Sequence, residues 1–446
     1  MSILGGRNRT GRSAGEHTGP GASATGCPEP DRPYRRSPLR SRSFVLLLLA
    51  TFGAFCGYAL LLPVVPLWAV AGGAGESGAG ATTGTFMLTT VLAQLSMPWL
   101  LRRASYRLTL SAGIVLLGAP APLYALSPAL GPVVAISALR GVGFGMITVS
   151  GSALVAELVP ASQRGRGAGL YGLAVGLPNV FCLPLGVWAV KHAGYGPLFV
   201  LAGVLPALGT LAAVAVAATS PGSYQHRTPD PARPAGRPHA GAVSQRARST
   251  RQLLPGLLAP WTLLLAGALA MGGLLTFLPI ALAGSGAAPT ALFAFSLAMS
   301  VGRWGAGVLG DRFGSAGRML VPSVLTAGGG MIGAAVAGVG AAAASPVAAL
   351  ASAAVGAFLF GMGFGALQNE TLVMMFGRVR PGEYGTASMV WNIAYDAGAG
   401  AGAVALGVVV DVFGFAPAFA AAGVVILALL PLAVAVAREG ARTSRA

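Results

Sequence analysis

Charge is what this chain lacks. Only 9% of its 446 residues are charged while 54% are hydrophobic, and the mean hydropathy is +0.72. A soluble domain carries roughly 25% charged residues, so this chain cannot cover a water-facing surface and lipid must be its main solvent. Acids are scarcer than bases, 12 Asp and Glu against 29 Lys and Arg, which leaves a net charge of +17. That charge makes no nucleic-acid face, because the arginines stand in small groups between apolar runs with no basic surface interleaved with aromatics. Cysteine is nearly absent. Cys27, Cys56 and Cys182 are an odd set with no metal spacing and no disulfide framework, and Cys56 and Cys182 read as small packing residues in apolar runs. Of the four histidines, His17, His226 and His239 lie in tail or linker and His192 in an outer connection. No GxxxxGK[ST] phosphate loop occurs, so ATP hydrolysis by this chain is not expected. The expectation is no enzyme, no cofactor and no metal.

What is present is a series of apolar segments. They fall at 44–70, 84–101, 108–127, 132–158, 167–190 and 197–218, then at 254–283, 288–308, 319–341, 346–375, 385–410 and 415–437. A spanning helix needs about 20 mostly apolar residues, so these read as twelve spans. Residues 1–43 form a basic tail rich in Gly, Ser, Pro and Arg, expected to be disordered and cytoplasmic. It is not read as a cleavable leader, because the first apolar run begins only near Phe44 and has full spanning length. Residues 219–253 are polar, rich in Pro and Arg, and read as a cytoplasmic linker between bundles at 44–218 and 254–437; 438–446 is a short cytoplasmic tail. With both termini cytoplasmic, alternate loops collect 27 of the 29 Lys and Arg, leaving Lys191 outside and Arg140 within a span. Positive loops face the cytoplasm, and a missed or invented span would spoil the tally.

The chain also repeats itself. GVGFG at 141–145 returns as GMGFG at 361–365, an offset of 220, and Gly165 matches Gly385 at the same offset. Both pentapeptides fall in the fourth span of a half. Duplicated halves are a common plan for secondary transporters, with the substrate site near the midplane between them.

One stretch is specific. GVLGDRFG at 307–314, followed by Gly317 and Arg318, puts an acid and a base side by side between two apolar runs, and reads as a water-facing turn. Gly307, Leu309, Asp311, Arg312, Gly314 and Arg318 resemble the signature loop of the major facilitator superfamily, and the resemblance extends over about 44–437. It implies an all-α integral membrane fold of twelve transmembrane helices in two pseudo-symmetric six-helix bundles, the major facilitator fold. It also implies a gating loop, in which Asp311 latches onto a neighbouring helix start with Arg312 and Arg318 in support. The first-half copy departs from the pattern, with Pro98, Arg102 and Ser105 where Gly307, Asp311 and Gly314 stand. Arg140 ahead of Gly141, Gly143 and Gly145 resembles a second family motif. Gly176, Pro184 and Gly186 resemble the glycine- and proline-rich fifth helix of the family's proton-coupled antiporters, with Leu183 departing from it.

Charge inside a bilayer costs roughly 2.5–3.5 kcal/mol on insertion scales, so an embedded ionisable group is a functional candidate. Asp396 lies about 16 Å into the eleventh span at 1.5 Å per residue, near the midplane. Ser388, Asn392 and Asp396 are spaced by four and share a helix face, flanked by Trp391 and Tyr395. A carboxyl shielded from water there suits proton coupling; the plainer reading is a packing hydrogen bond. Arg140 pairs with a carboxylate or substrate in proton transfer, or reaches back to the interface. Glu370, in the polar cluster with Gln368 and Asn369, lines a cytoplasmic gate and joins the coupling candidates, or is an interfacial helix end; Glu157 reads as a helix end. Tyr58, Asn179, Ser388, Trp391, Asn392 and Tyr395 are the candidate substrate-cavity residues.

These features predict a multi-pass protein of the cell membrane. It is expected to act as a monomer, with a small molecule and protons as partners and no nucleic acid. The leading reading is proton-coupled export of a small amphipathic or drug-like metabolite by alternating access. The alternative is an uptake symporter or facilitator for a sugar or other small organic solute. A non-transporting sensor is a third class, which no receiver-like or kinase-like domain supports.

Overall fold

The computed structural model of the chain describes residues 39, 41–101, 103–159, 163–218, 250–283, 286–313, 317–340, 346–380 and 383–443. The basic tail, most of the linker, Arg102, Gly314 and the side chain of Asp311 lie outside the described residues.

Fourteen α-helices follow one another: α1 Arg42–Leu61, α2 Val64–Ala71, α3 Glu76–Leu100, α4 Tyr106–Gly118, α5 Leu130–Leu158, α6 Arg164–Ala193 and α7 Tyr195–Ala218, then α8 Thr250–Ala281, α9 Ala288–Phe313, α10 Leu320–Gly340, α11 Pro346–Gly377, α12 Tyr384–Phe413, α13 Phe415–Ala428 and α14 Leu430–Thr443. They make twelve spans. Pro63 divides the first into α1 and α2, and Pro120 ends the helical part of the third, which finishes as a tight turn at Ala121–Leu126. Proline breaks a helix because it lacks an N–H and its ring clashes with the preceding turn. α13 and α14 share the twelfth. Ten of the twelve are long and apolar enough to cross a membrane by length and composition. The others are α3, diluted by threonines, and α10, whose apolar stretch Leu320–Val336 is short.

The two halves are built alike, for a reason visible in the repeated pentapeptides. A Cβ on Gly141 or Gly145 of α5 would overlap the carbonyls of Phe86 and Thr90 in α3, and one on Gly143 would overlap the backbone of α4 at Gly113 and Leu117. In α11, Gly361 and Gly365 stand against the carbonyls of Phe295 and Met299 in α9, and Gly363 against Ser323 and Ala327 of α10. Alternate glycines thus seat three helices at backbone contact in each half, and the fold is a pseudo-symmetric pair of six-helix bundles.

Two expectations need correcting. GVLGDRFG is not a turn. α9 stays helical through Phe313, so Asp311 and Arg312 occupy its last turn and the chain reverses only afterwards, near Gly317 at φ 90°. Gly307 and Gly310 run alongside Asn369 and Glu370 of α11 in the last turns of the helix. Arg303, counted above with the loop arginines although it falls within the apolar run 288–308, is inside α9, about 15 Å along the axis from Phe313.

Candidate functional site

The halves meet along α3 and α12. The two helices run antiparallel, and their closest approach begins at the end of the bundle opposite the linker, here the far end. There the carboxylate of Asp411 accepts hydrogen bonds from the backbone N–H groups of Glu76 and Ser77, both at 3.0 Å. These N–H groups open α3 and have no partner within the helix, so an anion is favoured there. One layer deeper, Thr276 of α8 donates to Thr83 of α3 at 3.2 Å. Gly84 and Gly400 let Val404 and Met87 interdigitate. The seam ends at Asp396, about midway along α12, where it meets Gln94 about three-quarters of the way along α3.

Asp396 is 5% exposed and Gln94 is 1% exposed. Gln94 Nε2 donates to Asp396 Oδ2 at 2.6 Å across the half-to-half boundary and also to Thr148 Oγ1 of α5 at 3.2 Å. Gln94 Oε1 is buried with no partner. Among the described residues no Lys or Arg forms an ion pair with Asp396. Of the two other members of its face, Asn392 is turned back on its own helix, donating to the backbone carbonyl of Ser388 at 2.8 Å.

Arg140 is 3% exposed, but no described carboxylate pairs with it. Its Nε donates to the carbonyl of Leu117 at 2.9 Å and its Nη2 to that of Gly57 at 3.3 Å, with the guanidinium over the rings of Phe86 and Tyr124. It therefore ties α5 to α4 and α1, all within the first half. Tyr58 stacks on Phe144 at 4.2 Å and lies within electrostatic reach of Arg140, Tyr395 and Asp396. Tyr58, Thr82, Thr83, Ser137 and Arg140 help line a cavity of about 20 Å³, room for one water-sized molecule. A second cavity of about 260 Å³ lies between α3 and α5, against Thr89, Leu92, Ser96, Trp99, Val142 and Met146. None of the six cavity residues expected from the sequence lines it. Asn179 donates back to the carbonyl of Val175 at 2.8 Å on its own helix.

Across the seam, the second half holds an arginine that the loop count hid. Arg303 Nη1 donates to Gln368 Oε1 at 3.3 Å, and its guanidinium lies over the ring of Trp391. Trp391 donates to Thr371 Oγ1 at 3.2 Å and stacks on Tyr395 at 5.7 Å. Tyr395 is within electrostatic reach of both Asp396 and Arg303. The geometry thus brings Tyr58, Trp391, Tyr395 and Asp396 into one neighbourhood and adds Gln94, Thr148, Arg303 and Gln368. The neutral amides carried no hydropathy signal, and Gln94 meets Asp396 only across 302 positions of sequence.

Glu370 stands apart from that group. Its Oε2 accepts the N–H of Gly317 at 2.6 Å, so it fastens the α9–α10 turn to α11. Of the gating residues, Arg312 and Arg318 are exposed at this turn. Glu157 pairs with Arg107 at 3.7 Å near a helix end. Cys56 and Cys182 are free and buried, side by side between α1 and α6.

Comparison with known proteins gives a consistent picture. The family model for the Major Facilitator Superfamily matches residues 47–403. Among solved structures, the chain is similar to a bacterial homolog of the human lysosomal transporter Spinster, inward-facing and unoccupied, at 15% identity over 92% of this chain and 98% of that one, TM-score 0.66. It is also similar to a mutant of the peptide transporter POT in complex with sulfate, at 15% identity over 91% and 97%, TM-score 0.71. A third is an auto-inhibited POT family peptide transporter, at 13% identity over 89% and 96%, TM-score 0.67. At such identities the likeness is one of fold. No curated protein sequence matches the chain.

Proposed function

We propose a function that starts from what the family match establishes: the chain belongs to the Major Facilitator Superfamily, and it is a multi-pass membrane transporter. Beyond that class, our reading is proton-coupled export of a small amphipathic metabolite by alternating access, in the cell membrane, with both termini cytoplasmic. The far end is then the outer face, sealed by α3 and α12 in this state.

The observation that carries the reading is the Asp396–Gln94 bond between the halves at 2.6 Å. An ionised carboxylate only accepts, and it takes the Nε2 proton of Gln94. A protonated carboxyl must donate, and Gln94 Oε1 is a buried acceptor with no other partner. A turn of one amide therefore satisfies either protonation state, and proton binding at Asp396 changes the bond that joins the two bundles. Arg140, held by backbone carbonyls, is the fixed positive charge in the same neighbourhood. Glu370, against Gly317, bears on the gating turn.

The test is transport in proteoliposomes under an imposed pH gradient. Asp396→Asn is expected to abolish pH-driven accumulation while leaving downhill exchange of substrate. Intact pH-driven transport in that variant overturns the coupling assignment. Accumulation on the linker side under an inward proton gradient, instead of the far side, assigns uptake.

A further inference from the structure

We infer that Arg303, Gln368 and Trp391 form a carboxylate-binding subsite, so that the cargo carries an anionic carboxylate on an aromatic or similarly flat apolar body. The inference deepens the transport reading above and rests on it for the role of cargo.

The argument is one of register. Phe86 and Thr90 of α3 face Gly141 and Gly145 as Phe295 and Met299 of α9 face Gly361 and Gly365. One turn further along, the same register places Gln94 in α3 where α9 has Arg303. The matched glycines of α5 and α11 likewise place Thr148 where α11 has Gln368. The Gln94–Thr148 bond at 3.2 Å and the Arg303–Gln368 bond at 3.3 Å are therefore the same contact made once in each half.

Their cross-half partners differ. α6 and α12 are each 30 residues long, and each ends at a glycine in the left-handed region, Gly194 at φ 81° and Gly414 at φ 83°. That shared frame puts Gly176 of α6 at the position of Asp396 in α12. Gln94 delivers its donor to Asp396. For Arg303 and Gln368 the equivalent position is a glycine, and a Cβ built on Gly176 meets nothing within 4 Å. The first site is filled by the chain's own carboxylate, and the second is left open.

The open site has surplus donors. Gln368 is 2% exposed and its Nε2 has no partner. No described carboxylate pairs with Arg303, whose side chain is exposed although it stands well inside α9. A guanidinium offers five N–H donors in a planar fork, which matches a carboxylate in two bonds. The floor of the site is aromatic. Trp391, beneath the guanidinium, stacks on Tyr395 at 5.7 Å, and the fully buried Phe364, Phe360 and Phe295 back them with neighbouring ring centroids 6.0, 5.6 and 5.7 Å apart. A planar anion with a flat apolar body fits both features at once.

The experiment measures binding to the purified full-length chain in detergent, without a proton gradient, by titration calorimetry. The probes are benzoate, phenylacetate and cinnamate, each against its neutral amide. The expected result is tighter binding of at least one carboxylate than of its amide by about tenfold or more. The preference should vanish in Arg303→Gln, persist weakened in Arg303→Lys, and vanish in Gly176→Asp, where the chain supplies its own carboxylate. The proposal is overturned if no carboxylate in the panel outbinds its amide, or if the preference survives in a folded Arg303→Gln or Gly176→Asp variant. Because no gradient is used, failure here leaves the coupling reading of Asp396 standing, and failure of that reading leaves this one.

Discussion

The first and second halves share a skeleton and differ in what they place on it. In both, the fourth span seats its neighbours through three alternating glycines, and in both a polar residue on the second span bonds one on the fourth. In the first half the pair is neutral and reaches across to a carboxylate; in the second it is cationic, and the equivalent position on α6 is a glycine. Arg140 marks another divergence. Its counterpart in the repeat is Phe360, which stacks between Phe295 and Phe364. Duplication fixed the packing, because backbone contacts tolerate no side chain. The polar positions could diverge because they face the boundary between the halves.

The comparison can be broken most severely at its skeleton. Gly145→Val and Gly365→Val each force a branched side chain against a carbonyl, and overpacking of this kind costs roughly 1–3 kcal/mol or more. Both variants should lose thermal stability in detergent to a similar degree, and a half that accepts valine unharmed would end the claim of equivalent packing. Next comes the polar pair. Gln94→Leu leaves a buried carboxylate without its donor, a loss of about 1–3 kcal/mol, whereas Gln368→Leu takes one hydrogen bond from the guanidinium of an exposed residue and should cost well under half as much. Equal losses in unfolding measurements would remove the distinction between a filled site and an open one. The smallest effect is expected at the far-end seal. Asp411→Asn removes the negative charge at the start of α3, worth about 0.3–1 kcal/mol. Spin labels at the far ends of α3 and α12 should show a modestly larger separated population, and an unchanged distance distribution would mean that the deeper seam alone holds the halves together.

Much of this was legible in the chain itself. The apolar runs marked the twelve spans, the repeated GVGFG and GMGFG marked the two halves, and Asp396 stood out because a carboxylate in an apolar run has no ordinary reason to be there. The loop motif was misread for an equally physical reason. Glycine and charge suggest a turn, but α9 continues as helix past Gly307 and Gly310, beside Asn369 and Glu370, to Phe313. Arg303, tallied with the arginines of that loop, stands instead inside α9. Arg140 was recognised as embedded, but its partners turned out to be the carbonyls of Leu117 and Gly57, which no sequence pattern announces.

The sequence by itself determined the solvent, the number of spans, the duplication and the family, since each follows from which residues are apolar and in what order they recur. Only the tertiary structure decided which polar groups meet. Gln94 with Asp396, Arg303 with Gln368, and Asp411 with the start of α3 are pairings between helices far apart in the chain. Hydrogen bonds reach only about 3 Å, so the pairs exist only once packed backbones fix the register.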